Sequence, residues 1–408
     1  MLYYHKKEEL RLNNRILEEA KQIQEEIIVH RRWLHSHGEV GFDLRETSAY
    51  VRTELEKMGY EVTQCGKSGL VALVGKPGNK VFLLRADMDA LPIREESGLS
   101  YACETGNMHA CGHDLHTAML LGAAKLLKKH EKELNGQVKL MFQPSEETLE
   151  GAKDMIDSKV LENPKVDAGM MIHVATNVPI PAGTILISPP GISAPAADYF
   201  TIQVKGKGCH GSTPQNGIDA LTTAAHILIA LQEINARELG IADRAVFTVG
   251  TMHAGSASNV IADSATMGGT IRCFDEKLRE RIKERICDIS AGIATAFRGQ
   301  AEVTFGSGAP TLQNNRQMCD FAEKELPQLL GSYAIPISKM NTTPSAGGSE
   351  DFAYVSHRIP TVMLSLAAGE PEKGYSYPLH HPKTTFDEAA LSNGTAALTY
   401  LAIRYLAQ

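Results

Sequence analysis

Met108-His109-Ala110-Cys111-Gly112-His113-Asp114 is the stretch on which the reading of this chain turns, followed downstream by Phe142-Gln143-Pro144-Ser145-Glu146-Glu147 and then by His173. A thiol, two imidazoles and adjacent carboxylates, gathered at strand ends, are the donor types for a pair of borderline metal ions with a base beside them. They imply a metal-dependent hydrolase.

Each piece also has an ordinary reading. Cys111 and His113 are two apart, which in extended backbone puts both side chains on one face, yet a buried cysteine beside a solvated histidine is common. Glu146 and Glu147 are adjacent acids at a Pro-interrupted strand end, unfavourable without cations but tolerable in a solvated turn. His173 closes the apolar run Met170-Met171-Ile172, where a buried imidazole needs a partner; a satisfied core histidine meets that need too.

The chain has 408 residues, 43% of them hydrophobic, too long for one compact core, so two domains are expected. A net charge of -7 without long basic runs implies neither nucleic acid nor an anionic membrane. The charged start, Met1 to Leu10, has no apolar signal region and no stretch is long enough to span a bilayer, so a cytoplasmic protein acting on a small molecule is expected. Seven cysteines fit reduced thiols rather than a disulfide framework.

Working outward, periodicity predicts one long helix over Asn14 to Ser36 and another over Leu44 to Met58, then strands at Tyr60-Thr63, Leu70-Val74 and Val81-Leu84 separated by the turns Gly66-Lys67-Ser68-Gly69 and Pro77-Gly78-Asn79. A helix from His116 to Glu133, strands at Gln137-Phe142 and Ala168-His173, and a short helix between them complete an α/β sheet with helices on both faces. The pattern then becomes β-α-β-β-α-β through Tyr199-Lys205, Ile218-Ile234, Arg244-Met252, Ala265-Phe274, Glu276-Phe297 and Glu302-Phe305, a ferredoxin-like order. Alternation resumes with Met318-Leu330, Thr361-Leu364 and Glu388-Ala407. The expected class is therefore α/β, a mixed-sheet catalytic domain (1–193 and 307–408) with an inserted α+β unit (194–306).

The motifs together resemble the aminoacylase and glutamate-carboxypeptidase family of two-metal peptidases, in the branch of N-acyl amino acid amidohydrolases, hippurate hydrolases and auxin-conjugate hydrolases. The matching segments are Arg31-Arg32-Trp33-Leu34-His35, Leu84-Arg85-Ala86-Asp87-Met88-Asp89-Ala90-Leu91-Pro92-Ile93, the Cys/His and Glu-Glu stretches above, Gly348-Ser349-Glu350-Asp351-Phe352 and Leu379-His380-His381-Pro382. The resemblance implies a zinc-peptidase-like catalytic domain whose insert is a lid and dimerisation domain. It implies that Cys111, His113, Glu147, His173 and His380 hold two divalent ions, zinc or manganese, with cobalt or nickel as further candidates. Glu146 is then the general base, and Asp89 supports the ligands. His381 stands beside His380 as a competing candidate, and Asp87 and Asp114 carry structural and site roles with equal weight.

In the insert, Cys209-His210-Gly211-Ser212-Thr213-Pro214 resembles the segment whose histidine polarises the scissile carbonyl, often across a dimer interface. Asn259, Arg272 and Gly348 match positions that contact the substrate carboxylate; taken alone, Arg272 is equally a strand-surface charge. Cys209 stands where glycine is usual, Gly38 where proline is common, and Ala175 where a larger residue is common. The implied reaction is hydrolysis of an N-acyl amino acid or short peptide by a homodimer. Runner-up activities are a dipeptidase or a diaminopimelate deacylase, and rivals of other classes are a metal-independent hydrolase with Cys111 as nucleophile and His113 as base, or a small-molecule binding protein.

Overall fold

A computed structural model describes residues 2–78, 80–340 and 348–408, with side chains from residue 12 onward. Asn79 of the expected second turn lies outside the described residues. The described residues divide into two compact units, one within 2–193, 313–340 and 354–408, the other of 194–312 with 348–353.

The first unit is built on eight strands: β1 (Val62–Cys65), β2 (Gly69–Gly75), β3 (Val81–Asp87), β4 (Gln137–Gln143), β5 (Ala168–Ala175), β6 (Ile185–Ile187), β7 (Ala334–Pro336) and β8 (Thr361–Ala367), in the spatial order β1-β2-β4-β3-β5-β8-β6-β7. The central strands β4, β3, β5 and β8 run parallel, and antiparallel pairing occurs at β1/β2, β2/β4 and β8/β6. All seven residues of β3 are buried, which requires cover on both faces of the sheet's centre and explains the unbroken apolar run Val81-Phe82-Leu83-Leu84. The helix His113–Lys129 packs on β3, and the helices Gln24–Ser36 and Leu391–Leu406 pack on it in turn. Each leucine it buries contributes roughly 1.5–3 kcal/mol of apolar transfer energy, so this helix is anchored along its length.

This topology places the chemistry. Parallel strands β3, β4 and β5 end on the same side of the sheet, so the residues after Asp87, Gln143 and Ile172 converge at one edge. Crevices at the carboxyl ends of parallel strands are where open α/β sheets bind ligands.

The second unit is a four-stranded antiparallel sheet in the order 245–254, 264–273, 196–205, 300–309, with the helices Ala220–Glu233 and Glu276–Ala296 packed against it. That is the ferredoxin-like arrangement the sequence order implies. Asp219 and Asp275 cap the two helices by accepting main-chain N–H bonds.

Several elements differ from the sequence expectation. The first long helix is two, Leu2–Gln22 and Gln24–Ser36, because Ile23 takes φ -99° and ψ 10°, outside helical dihedrals, although its N–H and carbonyl still bond to Glu19 and Ile27. The strand expected at Tyr60-Thr63 begins at Val62, and Tyr60 is instead buried with its hydroxyl donated to the Ala124 carbonyl. The last strand of the insert runs to Ala309, past residue 306, because an irregularity between Phe305 and Gly308 lets it continue beside 196–205. The described residues 348–353, which include Gly348, also group with the insert although they come from far downstream.

Candidate metal centre

The first turn of the helix His113–Lys129 begins inside the Cys/His motif. Gly112 has φ +84°, a left-handed conformation that suits glycine, and a Cβ there would lie 2.3 Å from Val174 Cγ2. Cys111 and His113 are therefore not placed by extended backbone, as their spacing suggested, but by a tight turn into a helix. The result is still convergence: Cys111 Sγ, a His113 ring nitrogen and a His173 ring nitrogen lie within 4.8 Å of one another.

A second triad forms on the other side of the same thiol. Cys111, Glu147 and His380 offer donor atoms within 4.8 Å of one another, and His380 Nε2 is 3.4 Å from Glu147 Oε1. His380 reaches this place through a left-handed backbone (φ +65°), with its N–H bonded to the Ala110 carbonyl. Ser145, just before the two glutamates, is also left-handed (φ +58°). Non-glycine residues in that region are strained, and such strain concentrates at functional sites. His381 is turned elsewhere: its ring stacks on Tyr377 and its Nδ1 accepts the Lys383 N–H.

The buried imidazole of His113 and the half-buried one of His173 are held in tautomers that turn Nε2 toward the donor cluster, that of His173 lying 3.6 Å from Cys111 Sγ. His113 Nδ1 donates to the main-chain oxygen of Asp89 (2.8 Å), and His173 Nδ1 donates to that of Val174 (2.8 Å). His113 Nε2 and Glu147 Oε1 are buried without a hydrogen-bond partner, a costly state that a cation would relieve. Glu146 is almost fully buried next to this set, its Oε2 3.9 Å from His113 Nε2. Asp89 holds the glutamate turn by accepting the N–H groups of Glu146 (3.0 Å) and Glu147 (3.1 Å).

Electrostatics agree with a cation site. Burial alone would raise the Cys111 thiol, but the imidazoles of His173 and His113 outweigh it and bring it down to about 6, toward the thiolate that metals bind. Glu147, pushed up by burial, is pulled below its ordinary value by His380 and His113. Burial raises Asp89.

Asp114 and Asp87 separate in role. Asp114 pairs with Arg31 and His35 and is part of the helix packing. Asp87 sits at the site's inner wall, bonded to Arg85 and His116 and 3.6 Å from His113 Nε2. His116 carried no signal in the sequence, since its spacing is that of any buried helix position.

In the insert, Cys209–His210 pairs with Val260–Ile261, which brings His210 beside Asn259. His210 Nδ1 accepts the N–H (3.1 Å) and hydroxyl (2.7 Å) of Ser212, leaving an exposed Nε2–H as donor. Cys209 fits in place of glycine because its backbone is extended and its thiol donates to the Thr213 carbonyl; the tight position is Gly211, where a Cβ would lie 2.9 Å from the Asn259 oxygen. Arg272 Nη1 donates to Ser349 Oγ (2.8 Å), and its guanidinium lies near Tyr199. Gly348 is exposed, and a Cβ there meets nothing within 4 Å. At Gly38 an added Cβ would lie 3.2 Å from Ala90 Cβ. Ala175 is the half-buried last residue of β5.

The model of peptidase family M20/M25/M40 matches residues 83–404, which include every ligand candidate. The chain belongs to this family. It is 35% identical over 387 residues to the N-acetyl-L-cysteine deacetylase of Bacillus subtilis, covering 94% of this chain and 89% of that one. It is 37% identical over 385 residues to IAA-amino acid hydrolase ILR1-like 5 of Arabidopsis thaliana, covering 92% and 86%. Among solved structures, the YXEP protein of Bacillus subtilis, described as a dinuclear metal-binding peptidase of the M20 family, superposes with a TM-score of 0.75 at 33% identity, covering 95% of this chain and 99% of that one. The M20 chain described here is accordingly a metal-dependent hydrolase whose fold supports two divalent ions. Among its described residues no helix is long and apolar enough to cross a membrane.

Proposed function

We propose that this M20 enzyme hydrolyses the amide bond of N-acyl amino acids bearing a free carboxylate, with Cys111, His113 and His173 holding one ion and Cys111, Glu147 and His380 the other. The observation that carries the reading is the meeting of two donor triads at one thiol beside the buried carboxylate of Glu146. The relatives' names, a deacetylase of N-acetylcysteine and hydrolases of auxin conjugates, support this substrate class. The Cys111 thiolate favours zinc or another borderline ion over magnesium or calcium, while the carboxylate and imidazole donors equally accept manganese, cobalt or nickel.

When bound, the ions supply Lewis acidity toward the carbonyl oxygen and lower the pKa of the attacking water. Glu146 takes a proton from that water as its oxygen adds to the carbonyl carbon. The same carboxyl then delivers the proton to the leaving nitrogen as the C–N bond breaks, releasing an acid and an amino acid. His210, with Nδ1 pinned by Ser212, presents Nε2–H to the developing oxyanion. Arg272 and Asn259, with the backbone at Gly348, hold the substrate carboxylate. The enzyme works in the cytoplasm as a homodimer joined through its insert.

A route with Cys111 as nucleophile fits worse: the thiol is only 7% exposed and lies among metal-type donors. Glu146→Gln is the decisive variant. It should retain both ions by metal analysis and lose roughly 10²–10⁴-fold in kcat. Turnover near wild type with the ions in place overturns the assignment of the base.

A further inference from the structure

His116 joins the two strand ends that carry the first triad. Its Nε2 accepts the main-chain N–H of Val174 at 2.8 Å, so that nitrogen holds a lone pair and the ring is neutral. Its Nδ1 therefore carries the proton and donates to Asp87 Oδ1 at 2.6 Å, at the end of β3. Asp87 is also fixed by Arg85 Nη1 (2.7 Å) and, through its main-chain oxygen, by the Thr117 hydroxyl (2.7 Å). On the other side, the carbonyl of Val174 accepts His173 Nδ1. One residue's main chain is thus held at its N–H by His116 and in turn holds the imidazole of His173. The His116 ring lies 4.7 Å from that of His173 and 5.4 Å from that of His113.

Asp87, His113 and His116 also offer three donors within 4.8 Å, which raises the question of a third ion. The geometry argues against it. Both His116 nitrogens are engaged, and the Arg85 guanidinium lies against the Asp87 carboxylate where a cation would have to sit.

We propose that His116 is a positioning residue for the metal centre: by bridging Asp87 and the Val174 N–H it sets the placement of His173 Nε2 relative to Cys111 and His113, and so the affinity of one of the two ions. The inference rests on the reading that these three residues hold an ion. Outer partners of ligating imidazoles typically change metal affinity about 10–100-fold when removed.

Two substitutions divide the role of the ring. The amide of asparagine occupies the place of Nδ1 and keeps a donor for Asp87, but leaves the buried Val174 N–H unpaired. The longer glutamine places its carbonyl near the position of Nε2 and keeps that acceptor. Zinc affinity and stoichiometry would be measured by competition with a chromogenic chelator, together with the absorption spectrum of the cobalt form and the urea stability of the metal-free form. The expected result is that His116→Asn binds one of its two zinc ions about 10–100-fold more weakly while the other is unchanged. Its cobalt form should show altered ligand-field bands with the thiolate charge-transfer band retained. His116→Gln should stay nearer wild type for both ions. Equal affinities in wild type and His116→Asn overturn the proposal. Equal weakening of both ions in both variants, with equal loss of metal-free stability, also overturns it by showing that the residue merely packs. A wild-type protein that takes up no zinc overturns the metal assignment itself.

Discussion

Asp89 and His113 are joined at two points, the imidazole Nδ1 lying 2.8 Å from the main-chain oxygen of Asp89 and 3.4 Å from its carboxylate. The same carboxylate accepts the N–H groups of Glu146 and Glu147, so one side chain ties the ligand helix to the glutamate turn. Asp89→Ala should weaken metal binding by about 10–100-fold. It should also cost about 1–3 kcal/mol for each buried N–H left unpaired. Chelator competition and urea unfolding measure the two separately, and unchanged metal affinity would remove Asp89 from the support of the site.

Arg272 is held by Ser349 through Nη1 (2.8 Å) and by the Tyr199 hydroxyl through Nη2 (3.4 Å), which orients the guanidinium while its remaining N–H groups serve a carboxylate. Lysine keeps the charge and loses the fork. Arg272→Lys should raise KM for N-acyl amino acids by roughly ten- to a hundredfold, the worth of a charged hydrogen bond, with kcat little changed. The wild type's preference for a free carboxylate over the same substrate as its carboxamide should shrink in parallel. A variant that keeps that preference would place carboxylate recognition elsewhere.

His35 gives the fold a pH dependence. Burial lowers its pKa, but hydrogen bonds to Asp114 (2.9 Å) and Glu95 (3.0 Å) prevail and raise it to about 9, against opposition from Arg31 and with His109 and Tyr101 also facing the ring. A pKa raised above its unfolded value of about 6.5 stabilises fully below pH 6.5, and that contribution is lost as pH climbs to about 9. The shift corresponds to roughly 3 kcal/mol. In chelated protein, His35→Gln should be less stable than wild type at pH 6.5, and the gap should narrow by pH 9. A gap independent of pH would mean that the imidazole is neutral in the fold.

What the sequence made legible was chemistry carried by unusual residue types in fixed order. Cys111 and Glu146-Glu147 stand out because adjacent acids, thiols and imidazoles have few structural uses together, whereas the 379–382 segment was legible only through the family resemblance. The ferredoxin-like order was legible because alternation and helical period switch cleanly between residues 199 and 305. The break at Ile23 was not, since a single residue leaving helical dihedrals leaves the apolar period intact across it. Nor was the turn at Gly112, where a spacing of two was read as extended backbone. His116 was silent because its role depends on a main-chain N–H from β5, and long-range partners of that kind have no local sequence signature. The separation of His380 from His381 likewise required the left-handed backbone at residue 380 to be seen.

The insert leaves the strand 245–254 at one edge of its sheet, paired on one side among the described residues. Exposed edges invite pairing with another chain. Val246 on that strand is 60% exposed, and Leu221 and Ile229 on the helix Ala220–Glu233 are 44% and 68% exposed, an apolar set suited to a symmetric interface with a second copy. Ile229→Asp combined with Val246→Lys should therefore shift the protein to monomer in sedimentation velocity while leaving metal content unchanged. Such an interface would also let His210 serve the neighbouring subunit. Mixing Glu146→Gln with His210→Ala, each inactive alone, then regenerates sites with both residues intact in about a quarter of the population under random exchange of a two-fold dimer. The interface variant added to both partners should abolish that recovery. If mixed dimers form and no activity returns, His210 acts only within its own subunit, whatever the oligomeric state.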